Sequence, residues 1–283
     1  MMQRASCAIV SYCHGADEIA PLLESLSSCA PRPLLYLVDN SPTPALASVA
    51  ARHHAVYCHQ PDNPGFARAH NWAMRDALGQ GSAYHFVINP DIRVQPEMLP
   101  RMLAYMEQHR DVGLLAPRVH YPDGRLQPLC KLLPEPVTLA VRRFLPWLHH
   151  GDARARYEMH GSGYDRVMDV PVLSGCFLLL RCEILRHVGL FDERFFLYFE
   201  DVDLSRRIGR VARTVYLPDV HVEHGYARGS YRSGRLLLHH LVSAIRYFNK
   251  WGWLDDRERA RINEEAIRAL ERQPRHCRRA VPR

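Results

Sequence analysis

The segment Asn89-Pro90-Asp91 has the residue types of a metal site at the end of a strand. It directly follows the apolar and aromatic run Tyr84–Ile88. A carboxylate on such a proline-stiffened turn can hold Mg²⁺ or Mn²⁺ against a diphosphate. From these three residues alone, a plain Asn-Pro-Asp β-turn is the stronger alternative. His224, in a late loop, supplies an imidazole that could complete the site.

The segment Glu200-Asp201-Val202-Asp203 places three carboxylates at the start of a helix. Favourable interaction with the helix dipole, about 0.3–1 kcal/mol each, is one explanation. The preceding apolar run 195–199 would bury the approach to these acids and raise a pKa, which suits a general base. Asp201 and Asp203 cannot share one helix face, so we expect them to have different roles.

The segment 63–71 (NPGFARAHN) joins a turn to a helix start. Asn63 and Gly65 have the character of turn residues, and Arg68 and Asn71 lie three apart on one helical face. A helix start of this kind is a possible contact for a diphosphate or a nucleoside. Simple packing is the alternative, and from this segment alone it is favoured.

Two common phosphate-binding motifs are absent from the sequence. The G-x-G at 161–163 has no third glycine and follows no apolar strand, which argues against a dinucleotide-dependent oxidoreductase. There is no G-x-x-x-x-G-K-[ST] loop either. A phosphate in the ligand would therefore need a metal, arginines or backbone amides at a helix start.

The elements that must position these residues alternate between strand-like and helix-like patterns over the first 120 residues. Near-continuous apolar strands in such an alternation predict a parallel sheet covered on both faces. Ligands bind such sheets outside the carboxyl ends of the strands, so the turns after residues 12, 38 and 88 should converge on one edge. Strands are predicted at 7–12, 34–38, 55–58, 84–88, 112–116, 170–181 and 215–217, and helices at 17–29, 44–53, 66–78, 96–109, 136–149, 200–211 and 236–253.

The composition is that of an ordinary globular protein. The chain has 283 residues, of which 47% are apolar and 24% charged, which excludes a disordered or disulfide-stapled chain. The eight cysteines contain no C-x-x-C pair, so buried reduced thiols are expected. No run of eighteen apolar residues and no secretory signal is present, so a cytoplasmic location is expected.

Most of the net charge of +7 lies at the C-terminus. Residues 235–283 contain twelve Lys or Arg against six Asp or Glu, a local charge of +6. Such a segment suggests attraction to anionic lipid or to another subunit, and a solvated basic tail is the alternative. The aromatic–basic interleaving of an RNA platform is absent, so no nucleic-acid partner is expected.

In their order along the chain, these segments resemble the family-2 glycosyltransferases of the GT-A fold. The match is nearest to bacterial rhamnosyltransferases that build cell-surface polysaccharide, such as the O-antigen of lipopolysaccharide. It covers residues from about 8 to 250 and is carried by IVSY, LVDNS, NPGFARAHN, INPD, LSGCFLLLR, GLFDERFFLYFEDVDLSRR and HVEHGYARGS.

The resemblance implies an α/β fold of GT-A type and a division of the chain. The sheet would be mostly parallel and Rossmann-like, with helices on both faces and a C-terminal helical extension. Residues 1–230 would form the catalytic domain, with 1–120 as the nucleotide-binding half and 166–230 as the acceptor and catalytic half. Residues 231–283 would form an amphipathic helix and a basic tail.

The resemblance also implies residue roles at the reacting end of the site. Asp201 matches the catalytic base of this family. Asp91 stands at the metal-binding aspartate of the D-x-D motif, while Asn89 replaces the first aspartate of that motif. His224 matches a late histidine that can join the metal, which would be Mg²⁺ or Mn²⁺.

The remaining roles that the resemblance implies concern the sugar-nucleotide donor. Asp39 would contact the nucleoside, and Tyr12 would lie near its base. Arg207 would reach the donor diphosphate. The other donor-binding candidates are Asn63, Gly65, Arg68, Asn71 and Asn89.

The activity implied is an inverting transfer, in which Asp201 deprotonates the acceptor hydroxyl. The donor would be dTDP-L-rhamnose and the acceptor a saccharide, usually lipid-linked in this family. The same fold with another donor, such as UDP-galactose or UDP-N-acetylglucosamine, is one alternative. A non-catalytic lipid- or nucleic-acid-binding protein is another, although it does not explain the carboxylates at the sheet edge. The basic tail would hold the enzyme at the inner face of the cytoplasmic membrane.

Overall fold

The computed structural model describes residues 4–144, 151–225 and 234–272 of the chain. Within them, nine strands form a mixed sheet and two more form a small antiparallel pair. The strands are β1 Ala5–Ser11, β2 Leu34–Asp39, β3 Val56–His59, β4 Tyr84–Ile88, β5 Ile92–Arg93, β6 Val112–His120, β7 Cys130–Lys131, β8 Met168–Asp169, β9 Val172–Leu173, β10 Phe177–Arg181 and β11 Arg213–His224.

The first half of the sheet is parallel. The sheet order is β3-β2-β1-β4-β10-β6-β11-β5, with β8 beside β11, and β7 pairs with β9. All pairs among β3, β2, β1 and β4 are parallel, so their carboxyl ends lie along one edge. Cys7 and Ile9 of β1 enter the core on one face, and Ala8 and Val10 enter the core on the other. The predicted α/β sheet is confirmed.

The predicted continuous strand over 170–181 is wrong. The chain forms β9 and then β10, which inserts antiparallel between β4 and β6. Between them, the Gly175 N–H leaves the ladder and donates to Asp201 Oδ2 at 2.9 Å. The strand is therefore interrupted where the backbone turns toward a side chain of the candidate site.

The last strand is longer than the predicted 215–217. β11 continues to His224, and its side chains alternate between buried and exposed from Pro218 onward. Pairing with β6 shifts register between Leu217 and His221, around Pro218, which has no N–H for the ladder. His224 therefore ends a strand rather than lying in a loop.

Helices cover both faces of the sheet. Apolar side chains of α1, α2 and α4 pack in one core cluster, and those of α3, α7 and α8 pack on the opposite face, where α10 joins them. The described helices are α1 Ala16–Ser27, α2 Ala47–Arg52, α3 Phe66–Gly79, α4 Met98–Gln108, α5 Pro136–Phe144, α6 Asp152–Tyr157, α7 Cys182–Val188, α8 Glu200–Ile208, α9 Gly234–Trp251 and α10 Arg257–Arg272. The end of the helix predicted over 136–149 lies outside the described residues.

Two negative findings concern the described residues only. All seven cysteines in this part of the chain are free thiols, and five of them are buried. No described helix is both long and apolar enough to cross a membrane.

Candidate active site

The metal-site candidates meet at the carboxyl edge of the sheet. β5 pairs antiparallel with β11 so that Ile92 lies opposite His224, which brings the preceding Asp91 beside the imidazole. Asp91 Oδ1 lies 3.2 Å from His224 Nε2, and Asn89 Nδ2 lies 3.5 Å from the same nitrogen. The three side chains predicted to form this site are therefore together.

Gln127 fixes the orientation of His224 and was not predicted. Its Nε2 donates to the His224 backbone oxygen at 2.8 Å, so its Oε1 is left to accept from Nδ1 at 3.0 Å. The proton of the neutral ring therefore belongs on Nδ1, and the lone pair of Nε2 faces Asp91. A single glutamine in an irregular stretch carried no pattern that would have revealed this role.

The pair formed by Asp91 and His224 is suited to hold a cation. Burial by itself would raise the pKa of Asp91, but when His224 carries a proton on both nitrogens its hydrogen bond and positive charge outweigh burial and keep the pKa of Asp91 below its ordinary value. No group of three or more His, Cys, Asp or Glu side chains with metal-binding geometry occurs among the described residues. The residues fit a divalent ion held by Asp91 and His224 with further oxygens from a ligand or water.

Asp201 lies in the first turn of α8. Tyr198 and Phe199 before it both have a φ of +69°, the left-handed region that L residues rarely adopt. A Cβ on Gly175 would lie 3.3 Å from Asp201 Cβ, so the small residue permits the close approach. The carboxylate accepts from the N–H groups of Gly175 and Val202, which holds it in one orientation.

The three carboxylates of this helix start have different surroundings. Glu200 is buried, its Oε2 has no hydrogen-bond partner among the described residues, and burial together with the charge of Asp201 raises its pKa well above the ordinary value. Asp203 is fully buried and binds Arg207, Lys250 and the Trp251 indole N–H. Asp201 and Asp203 therefore have different surroundings, and a difference in their roles stays a prediction.

One pocket of about 270 Å³ connects these groups. Asn89, His224, Glu200 and Asp201 line its polar side, together with Lys131, which the sequence analysis did not single out. The apolar wall comes from the loop before α8 and from α5 and includes Leu197, Phe199 and Leu139. A ligand in this pocket would contact both Asp201 and His224, one member of the candidate metal pair.

Three donor candidates lie at the ends of β1, β2 and β3. Tyr12 is 46% exposed at this edge. Asp39 is fully buried, with its oxygens accepting from the Ser41 N–H and the Tyr57 hydroxyl. Asn63 has a φ of +44° and accepts from Asn40 Nδ2 at 3.3 Å. The turns predicted to converge, after residues 12, 38 and 88, follow the parallel strands β1, β2 and β4 and so lie along one edge of the sheet. The buried Asp39 lies at this edge, at the end of β2.

Gly65, Arg68 and Asn71 do not lie in the pocket. A Cβ on Gly65 would lie 2.4 Å from the Phe196 oxygen, and Arg68 pairs with Glu193 at 3.2 Å. Asn71 is buried and bonds both the N–H and the oxygen of Phe191. The donor contact expected of these residues stays a prediction; in this structure the side chains of Arg68 and Asn71 join α3 to the segment that precedes Asp201.

Arg207 also lies outside this pocket. Its guanidinium donates to Asp203 and to the backbone oxygens of residues 188, 189 and 190. With these four acceptors it ties α8 to the end of α7 and has no place among the residues that line the pocket. The expected contact of Arg207 with a donor diphosphate stays a prediction.

The mixed sheet, the metal-type pair and the carboxylate of α8 define a glycosyltransferase of GT-A architecture. The family model of Glycosyl transferase family 2 matches residues 6–189, and the chain belongs to this family.

Two relatives and one solved structure are similar to the chain. It is 29% identical over 253 residues to N-acetylglucosaminyl-diphospho-decaprenol L-rhamnosyltransferase of Mycobacterium tuberculosis, covering 83% of this chain and 81% of the relative. It is 26% identical to rhamnosyltransferase WbbL of Escherichia coli K12, covering 90% and 96%. The structure of GalNAc-T7 with UDP, GalNAc and Mn²⁺ superposes with a TM-score of 0.62 at 13% identity, covering 88% of this chain and 48% of that chain.

Proposed function

We propose that this glycosyltransferase moves L-rhamnose from dTDP-L-rhamnose to a lipid-linked saccharide in bacterial O-antigen or surface-polysaccharide synthesis, with inversion at the anomeric carbon. The observation that carries the proposal is that Asp201 and His224 line one pocket. The names of both relatives support the sugar, and a decaprenol-linked acceptor is named for one of them.

Asp201 is the proposed base. Its carboxylate takes the proton of the acceptor hydroxyl while that oxygen attacks the anomeric carbon from the side opposite the leaving nucleoside diphosphate. The bonds from the N–H groups of Gly175 and Val202 hold the carboxylate in place before the acceptor arrives. Fixed orientation of this kind lowers the barrier to proton transfer.

Asp91 and His224 are the proposed ligands of a divalent ion, Mg²⁺ or Mn²⁺. When bound, the ion would supply positive charge against the diphosphate. Asn89 would orient the Nε2 side of His224, to which its amide points at 3.5 Å. The Mn²⁺ in the GalNAc-T7 structure supports a metal in this fold.

The donor nucleoside is proposed to occupy the edge formed by the ends of β1, β2 and β3. Tyr12 offers an exposed ring for stacking on the base. Asp39 and Asn63 hold the surrounding turns through Ser41 and Asn40. We propose that the enzyme works in the cytoplasm at the inner face of the membrane, where the C-terminal basic tail would add attraction. Residues 273–283 of that tail lie outside the described residues.

A donor panel tests the proposed function. The purified chain is incubated with a polyprenyl-diphosphate-linked N-acetylglucosamine acceptor and, in turn, dTDP-L-rhamnose, UDP-galactose or UDP-N-acetylglucosamine, with Mn²⁺ or with excess EDTA. We expect transfer from dTDP-L-rhamnose only, lost in EDTA, with the opposite anomeric configuration in the product. Transfer from a UDP-sugar instead would show that dTDP-L-rhamnose is not the donor. Full activity in EDTA would show that the transfer needs no divalent ion.

A further inference from the structure

The outer face of α9 is apolar although it faces solvent. Leu238 is 60% exposed and Ile245 is 48% exposed, and the half-buried Leu241 and Val242 lie between them at the i+3 and i+4 positions. The opposite face of the helix is held by the buried residues Ser243 and Tyr247, and the buried Phe248 borders the stripe at the i+3 position from Ile245. The exposed stripe is thus not the side by which α9 packs on the protein.

This face continues beyond the helix. Trp253 and Leu254 follow α9 and are 44% and 81% exposed. At 1.5 Å per helical residue, the distance from Leu238 to the turn at Trp253 is about 22 Å. Single exposed apolar residues are common on protein surfaces, but a contiguous row of this length is not. Contiguous apolar patches mark interaction sites.

The pocket lies on the inner side of α9. His240, two residues after Leu238 and so about 200° around the helix from it, lines the pocket together with Asp201 and with Leu139 of α5. Val137 of α5 is 64% exposed. Whatever covers the apolar face of α9 would therefore lie about one helix diameter, roughly 10 Å, from the pocket lining.

The charges around the face favour a lipid surface over a second copy of the chain. α9 contains no acidic residue, and exposed arginines flank the stripe at 235 and 246; beyond the helix, Arg257 lies 3.8 Å from the exposed Asp255. A symmetric pairing of two such faces would bring like charges together. An apolar stripe flanked by arginines is the pattern of a helix that lies in the interface of an anionic bilayer.

We propose that the outer face of α9 docks on an anionic lipid bilayer and so presents the pocket to an acceptor whose lipid chain stays in that bilayer. The role of the acceptor rests on the proposed function, whereas the docking itself does not. This contact is separate from electrostatic attraction by the basic tail. Membrane binding through burial of Leu238 and Ile245 persists at high salt, whereas salt screens the attraction between exposed charges and the bilayer.

Sedimentation of the full-length protein with vesicles of phosphatidylglycerol and phosphatidylcholine tests the docking. The variant carries Leu238→Glu and Ile245→Glu, and neither residue lines the pocket. The matched control is Val211→Glu, because Val211 is 48% exposed like Ile245 but follows α8. At high salt we expect at least about a tenfold loss of vesicle binding in the variant and none in the control.

Three other results would overturn the proposal. The first is equal salt-resistant vesicle binding by wild type and variant. The second is a loss of vesicle binding of the same size in Val211→Glu. The third is a dimer of the wild type in sedimentation velocity that is absent in the variant. Thermal melts of all three proteins establish that each is folded. Transfer to a short water-soluble acceptor should be unchanged in the variant. Absence of that transfer in the wild type would contradict the proposed function while leaving the vesicle result intact.

Discussion

At the scale of single residues, the chemistry of the site depends on how neighbouring side chains are surrounded. Glu200 and Asp201 are adjacent, yet the first is buried and the second lines the pocket with both oxygens held by backbone N–H groups. His224 is likewise defined by Gln127, which fixes the ring through two hydrogen bonds. Two predictions follow from these surroundings.

Glu200→Gln should remove a pH dependence of stability. Burial raises the folded pKa of Glu200 well above its ordinary value of 4.5. The folded protein therefore keeps a proton that the unfolded chain releases, and the stabilisation is lost as pH rises from 4.5 toward the folded pKa. The free energy of unfolding, measured by urea denaturation across this pH range, should fall in the wild type relative to Glu200→Gln as pH rises. Parallel curves would mean that Glu200 is ionised, and the exposed Glu223→Gln is the control.

Gln127→Leu should weaken Mn²⁺ binding by about ten- to a hundredfold, the usual effect of losing a partner that orients a metal ligand. The two hydrogen bonds that fix His224 would be absent, so its Nε2 would no longer be aimed at Asp91. Electron paramagnetic resonance of free Mn²⁺ in the presence of dTDP measures the affinity without any turnover. Unchanged affinity, equal to that of the exposed Gln80→Leu, would rule out this positioning role.

At the scale of elements, the segment from Gly65 to Asn71 is joined to the residues that precede Asp201. Gly65, Arg68 and Asn71 all contact residues between 191 and 196, directly before Asp201. Their correct placement at a helix start could be predicted from the sequence. Their partners could not, because Phe191 and Phe196 contribute backbone atoms, which leave no pattern in side-chain types.

Asn71→Ala should destabilise the protein by about 1–3 kcal/mol, because it leaves the buried N–H and oxygen of Phe191 without partners. Arg68→Ala removes only an exposed ion pair with Glu193 and should cost less than about 1 kcal/mol. Chemical denaturation gives both values, and calorimetry should show nearly unchanged dTDP affinity in both. A large loss of dTDP affinity with unchanged stability would return Asn71 to the donor site.

The elements also show what alternation of strands and helices can predict. The first four parallel strands and the carboxylate after β4 follow from apolar runs ending in polar turns. The antiparallel insertion of β10 does not, because strand direction depends on pairing between distant segments. The length of β11 was missed because Pro218 interrupts the pattern, although the alternating burial after it continues to His224.

At the scale of the whole molecule, the helices after residue 233 are joined to α8, the helix that carries Asp201. Arg206 of α8 is buried and binds Asp256 through two bonds of 2.7 Å, and its guanidinium stacks 4.2 Å from the Trp251 ring. Asn263 of α10 pairs with the backbone of Leu133. The predicted domain boundary near residue 230 stays a prediction. The contacts of Arg206 and Asn263 cross that boundary.

Arg206→Met should destabilise the protein by about 3–5 kcal/mol, because the buried carboxylate of Asp256 loses its two guanidinium hydrogen bonds and keeps the Arg259 N–H and a guanidinium 3.7 Å away. Arg210→Met is the matched control, since Arg210 binds Glu258 but its side chain is 49% exposed; it should cost less than about 1 kcal/mol. Denaturation curves would measure both. Equal small effects would show that the C-terminal helices are held by apolar packing alone.

The central claim is that Asp201 is the base of an inverting transfer. The most direct test is single-turnover transfer from dTDP-L-rhamnose by Asp201→Asn, with dTDP affinity measured on the same sample and the exposed Asp219→Asn as the control. The carboxamide keeps the shape of the side chain but cannot take the proton. We predict transfer at least about a hundredfold slower, dTDP affinity within a few-fold of wild type, and no change in the control. Transfer at near wild-type rate by Asp201→Asn would contradict the account.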